Sequence, residues 1–579
     1  MNKYIQRYLI ITGALILSGI CIPGCKDALD LAPLDQVSEV SFYKDASQFK
    51  LAANSFYGYL RSFNVTNGDG HAGSDLYADR GVFARGTNTA VSNDANYNDA
   101  YSWIRNINFF LEKAAAYQKP EEIKTYIAEA HFFRGYVYFD KLLQNYGGVI
   151  LVKQVLTPQA AELSAPKNTR EETIDFIIGE LEAAIPDLPL EGAIAATDKG
   201  RVSKQAAQAF LARVCLYEGT WQKFRNGDAA RYNALLDKAI AGSDAVITAN
   251  QHSLFKPAAL GDSALKYLFI LENQKSNPAN ITKTGNLEYV LSVRYESANL
   301  LKTIPNAISQ GFGSGNMSRR AADMYLLSDG LPIGKSSVPF SRAGLNSEYA
   351  GRDNRMRYFM AVPGRYHWQG NANWHINWNW SAADLANSRG KHDPWGANSI
   401  SGYITQQWIA ERQVPNNQEG YDYPTIRLAE VYLNYAEAVY ERNGSISDAD
   451  LDKSLNLVRN RVNTAMPKLS NTLVTVNGLD MREEIRRERA IELQGESFRM
   501  DDLKRWYIAH IELNKPVLGV RWTGTEFQTK YPSVNPPLLN GDVVADPASE
   551  RKFSEKNYLL PFPTNQLQLN PNLVQNTGW

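Results

Sequence analysis

Trp374, Trp378 and Trp380 stand among asparagines in the stretch NANWHINWNW at 371–380. Six of the eleven tryptophans fall between positions 368 and 408: Trp368, Trp374, Trp378, Trp380, Trp395 and Trp408. In an extended segment, side chains two apart share a face. Trp374, Ile376, Trp378 and Trp380 then line one side, and Asn373, His375, Asn377 and Asn379 the other. A sugar ring has an apolar C–H face and a rim of hydroxyls. Aromatic rings cover the first, and amides, with paired donors and acceptors, bind the second. The same alternation also suits a strand with its tryptophans in a core and its asparagines in water, so both placements stand for Trp374, Trp378 and Trp380. Trp368 and Trp395 flank the stretch in Gly-containing context and are freer to meet a ligand.

Motifs for catalysis are absent. There is no HExxH and no GxSxG, and His367 and His375 lack a fitting third metal ligand. GFGSGN at 311–316 lacks the third glycine of a dinucleotide fingerprint and the lysine of a P-loop, and reads as a loop. NVTNGDG at 64–70 is oxygen-rich, but no glutamate follows at EF-hand spacing, so it reads as a plain turn without calcium. Glu483, Glu484, Glu488 and Glu492 alternate with arginines on one helix, and Glu483 with Arg487 has the spacing of a favourable pair. A glycosidase needs two carboxylates opposed across a cleft, whereas these read as an ion-paired helix face. We expect no metal and no cofactor.

The elements that must position these residues begin with an N-terminal leader. Lys3 and Arg7 precede an apolar run from Leu9 to Ile20, too short for a comfortable membrane span and characteristic of a secretory signal. It ends in Ile22-Pro23-Gly24-Cys25, which resembles a bacterial lipobox and implies lipidation of Cys25. Of the other cysteines, Cys21 lies in the leader and Cys215 in an apolar helical pattern, so no disulfide is expected. Lys and Arg balance Asp and Glu at 61 each, which removes any global field for nucleic acid. With 579 residues, the chain needs several subdomains or one large helical array.

Helices are expected over 42–61, from Asn98 or Asp99 to Tyr117, from Pro120 to the stop at Gly147-Gly148, over 170–185, through SKQAAQAFLARVCLYEGTW, and over 233–247. Residues 62–98 read as a long loop, and 250–420 mix short pieces with Gly, Pro and Asn. Regular helix returns in TIRLAEVYLNYAEAVYER, where Arg427, Glu430, Asn434, Glu437 and Glu441 form one polar stripe on an otherwise apolar rod. Gly444 stops it, and a partner helix starts at Ser447 or Asp448. Recurrent helix pairs point to an array of tetratricopeptide type.

Several motifs then coincide in order. IAEAHFFRGYVYFDKLLQNYGGVILV (127–152), GRVSKQAAQAFLARVCLY (200–217), YPTIRLAEVYLNYAEA (423–438), IRRERAIELQGESFRMDDLKRW (485–506) and NYLLPFPTNQLQLNPNLVQNTGW (557–579) resemble the signatures of the RagB/SusD family. The chain departs from that pattern at Gly495, Ser497 and Phe498, at Gln566 and at Ile150, all in scaffold motifs. The resemblance implies a mostly α fold, with a tetratricopeptide-like helix-pair scaffold and an irregular, loop-rich ligand-binding lobe. It implies a signal peptide over 1–24, a lipidated tether over 25–41, a helical scaffold over 42–249, the lobe over 250–420 and a C-terminal helical region over 421–579.

It further implies a non-enzymatic, lipid-anchored protein of the cell outer membrane. Such a protein binds a glycan and delivers it, by a lid-like motion, to a SusC-like TonB-dependent transporter. Lys26-Asp27 looks like the acidic signal for the outer face. Loops of the N-terminal region contribute to the family's glycan site, so Asp75, Tyr77, Arg80 and Arg85 join the tryptophans as candidates, with Tyr295 as a weaker one. Trp408 follows SGYITQQ, which resembles a scaffold motif, and is expected in the core. The alternatives are capture of peptide or glycoprotein, as in RagB-type relatives, a secreted glycosidase, and a helical adaptor without ligand.

Overall fold

The computed structural model describes residues 42–63, 74–78, 80–296, 303–309, 316–362, 400–412, 415 and 417–579. Helix α1 spans Ala46–Phe56. It is shorter than the expected 42–61 because the Asp45 carboxylate accepts from the backbone of Ser47 and Gln48 and fixes the start. Helix α2 runs over Ala95–Ala115 with Asp94, not Asn98 or Asp99, as its cap. Helix α3, Lys124–Val137, continues through a π-type turn at Tyr138–Leu143 and ends at Gly147, whose φ of 77° favours glycine. Helix α4 is Arg170–Ala184, held by a Thr169/Glu172 capping box.

Helix α5 is Lys204–Lys223, capped by Ser203, and α6 is Ala229–Ala249. Successive helices pack as neighbours: α2 on α3, α3 on α4, α4 on α5 and α5 on α6. The α5–α6 contact is close. A Cβ added at Gly242 would stand 3.0 Å from the Gln208 carbonyl and 3.2 Å from the Ala212 methyl. Cys215 is fully buried in α5, as a small core residue.

Strand β1, Tyr289–Val293, pairs antiparallel with β2, Tyr423–Arg427, and β2 runs directly into helix α7, Leu428–Asn443. Gly444, at φ 71°, stops α7. The expected partner helix is broken: Asp448–Lys453 and Leu455–Arg459 are separated at Ser454, whose φ/ψ of −136°/−95° leaves the helical region. Helix α8 is Met481–Glu492 and α9 is Arg499–Arg505. A small antiparallel sheet orders β3 (Val517–Arg521), β5 (Asp542–Asp546) and β4 (Leu538–Leu539), with β5 in the centre.

The fold is mostly helical. One hydrophobic cluster includes Phe49, Phe269 and Leu573, so the N-terminal, middle and C-terminal stretches share a core. A second cluster gathers around α7, with Leu433, Ala436, Leu455 and Ile485. Among the described residues, no helix is long and apolar enough to cross a membrane.

Candidate ligand-binding region and its scaffold

The polar stripe of α7 is buried along its whole length. Arg213 of α5 grips Glu430 at 2.6 Å, Arg489 donates to Asn434 at 2.7 Å, Arg505 pairs with Glu437 at 2.5 Å, and Lys223 pairs with Glu441 at 2.7 Å. At the start of the stripe, Arg427 reaches Glu288 (2.9 Å), Glu492 (2.7 Å) and Glu496 (2.7 Å). Arg461 joins Glu288 and Glu492, while Arg355 joins Asp353, Glu488 and Glu492. Arg459 closes the cluster on Glu488 at 3.0 Å. Five carboxylates thus face four guanidinium groups in a solvent-free interior.

At two of the carboxyls, Glu492 and Glu496, burial and the facing guanidinium groups balance differently. Glu492, opposed by burial but held by Arg461, Arg427 and Arg355, falls to about 2. Burial lifts Glu496 to about 7, with Arg427 opposing the rise and Glu492 and Glu288 adding to it. The cluster ties Glu288, Asp353 and Arg355 of the middle stretch to α7 and α8. That is how the scaffold holds the irregular region. On α8 the pairing differs from the expected one: Glu483 meets Arg486, and Arg487 meets Glu484, each three residues apart. Glu484 is buried, which draws Arg487 inward towards it.

A chain of backbone hydrogen bonds leads from this scaffold to the candidate residues. Ala78 N–H donates to Asn316 O at 2.7 Å, and Ser318 N–H to Leu76 O at 2.8 Å. Met317 N–H donates to Tyr403 O at 3.1 Å, Ala361 N–H to Ile404 O at 2.8 Å, and Gln406 N–H to Phe359 O at 2.7 Å. Four short segments therefore lie side by side in the order 76–78, 316–318, 403–406 and 359–361. Ala361 and Ile400, whose amide donates to Asn316 Oδ1 at 3.2 Å, stand at this ladder on either side of the tryptophan-rich stretch, and the segment Asp75–Ala78 forms its other edge. The two stretches expected to meet ligand are rooted in one place. Trp368, Trp374, Trp378, Trp380 and Trp395 themselves lie outside the described residues, as do Cys25 and NVTNGDG.

The loop candidates are engaged by the scaffold. Asp75 is buried and takes Arg499 through both oxygens at 2.8 Å, with Arg320 at 2.5 Å. Burial opposes its charge, but Arg499 and Arg320 overcome that and hold the carboxyl down at about 2. Tyr77 is buried on the ladder, opposite Met317. Tyr295 is buried edge-on against Phe63 at 5.2 Å. Arg85 pairs with the fully buried Asp546 at 2.5 Å, and Arg80 donates to the Ala545 carbonyl at 2.6 and 2.8 Å. Of the five, only Arg80 is exposed. Asp75, Arg80 and Arg85 pin the loop to α9 and β5, and their polar groups bond to the scaffold.

Trp408 is in the core, 1% exposed, with its indole N–H donated to Gly495 O at 3.4 Å. Phe63, Tyr421 and Tyr423 surround it. Sequence reasoning found the α7 stripe but missed Glu288, Asp353, Arg355 and Arg461. Glu288, Asp353 and Arg355 lie outside any periodic pattern, and only the fold brings the four into the cluster around Arg427 and Glu492. Among the described residues, no group of His, Cys, Asp and Glu is arranged to hold a metal ion.

A helix-pair scaffold joined by a buried ionic seam to an irregular middle region defines a class, and comparison with known proteins identifies it. Residues 269–579 match the model of the SusD family, and residues 48–216 match a second model described as starch-binding associating with outer membrane. The chain belongs to the SusD family. A SusD-like protein of Bacteroides ovatus is 23% identical, over 99% of this chain and 98% of that one. The crystal structure of a SusD-like carbohydrate binding protein from Bacteroides fragilis superposes with a TM-score of 0.70 at 24% identity, covering 92% of this chain and all of that one. A laminarin binding SusD-like protein gives a TM-score of 0.54 at 20% identity, covering 93% and 100%.

Proposed function

We propose that this protein captures an oligo- or polysaccharide at the cell surface and passes it, without catalysis, to a SusC-like TonB-dependent transporter in the outer membrane. In this reading Cys25 carries the lipid anchor, residues 25–41 are the tether, and 250–420 hold the ligand. The observation that carries it is the concentration of Trp368, Trp374, Trp378, Trp380 and Trp395 between two residues, Ala361 and Ile400, that are hydrogen-bonded to the scaffold ladder. A SusD-family scaffold with a local excess of aromatics between amides suits a sugar better than an extended peptide, which needs main-chain pairing and apolar pockets. Carbohydrate and laminarin binding by the two structural neighbours supports the same class of ligand. Outer-membrane association accords with the description of the N-terminal family model.

The test is a binding panel with the chain from Lys26 onward: neutral glycans, acidic glycans and peptides, read by tryptophan fluorescence and by product analysis. Saturable binding of one glycan class without turnover is expected. Binding of peptides alone would replace this reading with peptide capture, and turnover would replace it with a glycosidase.

A further inference from the structure

An open groove of about 950 Å³ runs beside α2, and none of its described lining residues belongs to the ladder. Its walls come from the first turns of α2, the loop at 150–163 and the C-terminal residues 566–573. Sites for small molecules run from roughly 300 to 1,000 Å³, so the groove has room for a ligand of that size.

The groove has a charged end and an aliphatic end. Tyr101 donates its hydroxyl to Ile150 O at 2.9 Å, and Asn108 donates to Val152 O at 3.0 Å and Gln154 O at 3.1 Å. Residues 150–154 therefore run beside α2 towards its C-terminal half, and Arg105 and Gln154 share that end. At the start of α2, Thr564 N–H donates to Val91 O at 2.9 Å and Asn565 N–H to Ser92 O at 3.2 Å. These bonds seat the short helix Thr564–Leu569 at the opposite end. Asn570 donates to Ala165 O at 2.8 Å and Asn572 to Ser164 O at 2.7 Å, which brings Leu163 to the side of Leu569 and Leu573. Leu163 is 48% and Leu569 75% exposed. Uncovered aliphatic side chains gathered around one concavity mark a binding surface. Along α2, Tyr97 and Arg105 are about 12 Å apart, so chain-like ligands can reach from one end to the other.

Charge and ring placement narrow the ligand. Arg105 is exposed and has no ion-pair partner among the described residues. The one carboxylate of the lining, Glu162, accepts from Gln154 at 3.2 Å instead. The rings of the lining offer little to a sugar: Tyr97 is buried, and Tyr101 is half-buried with its hydroxyl bonded to Ile150 O. Leucine side chains suit an alkyl chain, and a guanidinium suits a carboxylate or phosphate through paired hydrogen bonds.

We propose that this groove binds an anionic amphiphile, with one alkyl chain against Leu163, Leu569 and Leu573 and a carboxylate or phosphate head on Arg105. Fatty acids and phosphate-headed lipids share this chemistry. The site is separate from the tryptophan-rich stretch, so it stands or falls apart from the glycan reading.

The test is calorimetric titration of the chain from Lys26 onward with octanoate, decanoate and dodecanoate, and with the alcohols of the same lengths, all below micelle-forming concentrations. One site per chain is expected, with affinity rising about fourfold per methylene. Each carboxylate should bind roughly fivefold more tightly than its alcohol. Arg105→Gln should erase that difference, and Leu569→Asp should weaken every member roughly tenfold. Both side chains are exposed, so both variants should fold, and their melting temperatures check this. Dodecyl phosphate is run beside dodecanoate; tighter binding of either supports the site and names the head group it prefers. Affinity independent of chain length, a carboxylate preference that survives Arg105→Gln, or no saturable binding would each overturn the proposal.

Discussion

Helices α5 and α7 are both enclosed on nearly every side, for opposite reasons. Helix α5 is lined by Ala206, Ala209 and Ala212, all buried, and lets its neighbour approach to backbone distance. Helix α7 carries a row of charges and is enclosed because each charge is matched by an arginine or lysine from elsewhere. The two meet at Arg213–Glu430 and Lys223–Glu441. The difference teaches that one degree of burial can rest on close packing or on paired charge, and the two respond differently to substitution. An alanine face tolerates loss and resists added bulk. A buried ion cluster resists the loss of any member, because the remaining charges have no water to turn to.

The largest effect is expected from Arg427→Met. It leaves Glu288, Glu492 and Glu496 facing each other without their shared guanidinium and should cost roughly 3–5 kcal/mol. Urea denaturation at neutral pH reads this, and a cost below about 1 kcal/mol would mean that the seam contributes no more than a surface pair.

Next comes the pH dependence of Glu496. Its folded pKa of about 7 lies above the unfolded value, so the folded state binds the extra proton. Its contribution to stability is complete below the unfolded value, near 4.5, and is lost as pH rises through 7; linkage makes the loss on the order of 3 kcal/mol. Glu492 and Asp75, held near 2, act with the opposite sign, and their contribution disappears as pH falls below 4. Glu496→Gln should flatten the stability profile between pH 5 and 8 and leave the acid limb unchanged. A variant that kept the wild-type slope between pH 5 and 8 would place the titrating proton elsewhere.

The smallest of the three is Ala212→Leu on α5. The added branch meets α6 near Gly242, and overpacking of this kind costs about 1–3 kcal/mol. It should lower the thermal midpoint without altering the pH profile, which separates close packing from paired charge in one protein.

Much of this was legible in the sequence. The α7 stripe stood out because its polar residues keep helical spacing on an apolar rod, and Gly444 and Ser203 bounded their helices as capping chemistry requires. The partners of the stripe were not legible. Glu288 comes from a segment without periodicity, and nothing local marks a residue whose counter-charge, Arg427, lies more than a hundred positions away. The candidate site shows the same division. Clustering of tryptophans is a compositional signal that needs no fold. Asp75, Tyr77 and Arg85 were candidates because loops of this region contribute to the glycan site in the family that the sequence resembles. Their actual partners, Arg499, the 316–318 segment and Asp546, are supplied only by tertiary structure.

The central claim is that ligand contact resides in the tryptophan-rich stretch, while the Asp75–Arg85 loop supports it. The direct measurement is calorimetric titration of whichever glycan the panel selects into wild type, Trp378→Ala, Trp374→Ala and Arg85→Ala, with the melting temperature of each recorded. Asp546 keeps Arg551 at 2.7 Å when Arg85 is removed, so that variant should fold. The account predicts that at least one tryptophan variant loses roughly tenfold or more in affinity, the ~1.4 kcal/mol scale of an aromatic contact, with its melting temperature unchanged. Arg85→Ala should bind within about twofold of wild type. Tryptophan variants that melt early but bind normally, together with loss of binding in Arg85→Ala, would contradict it.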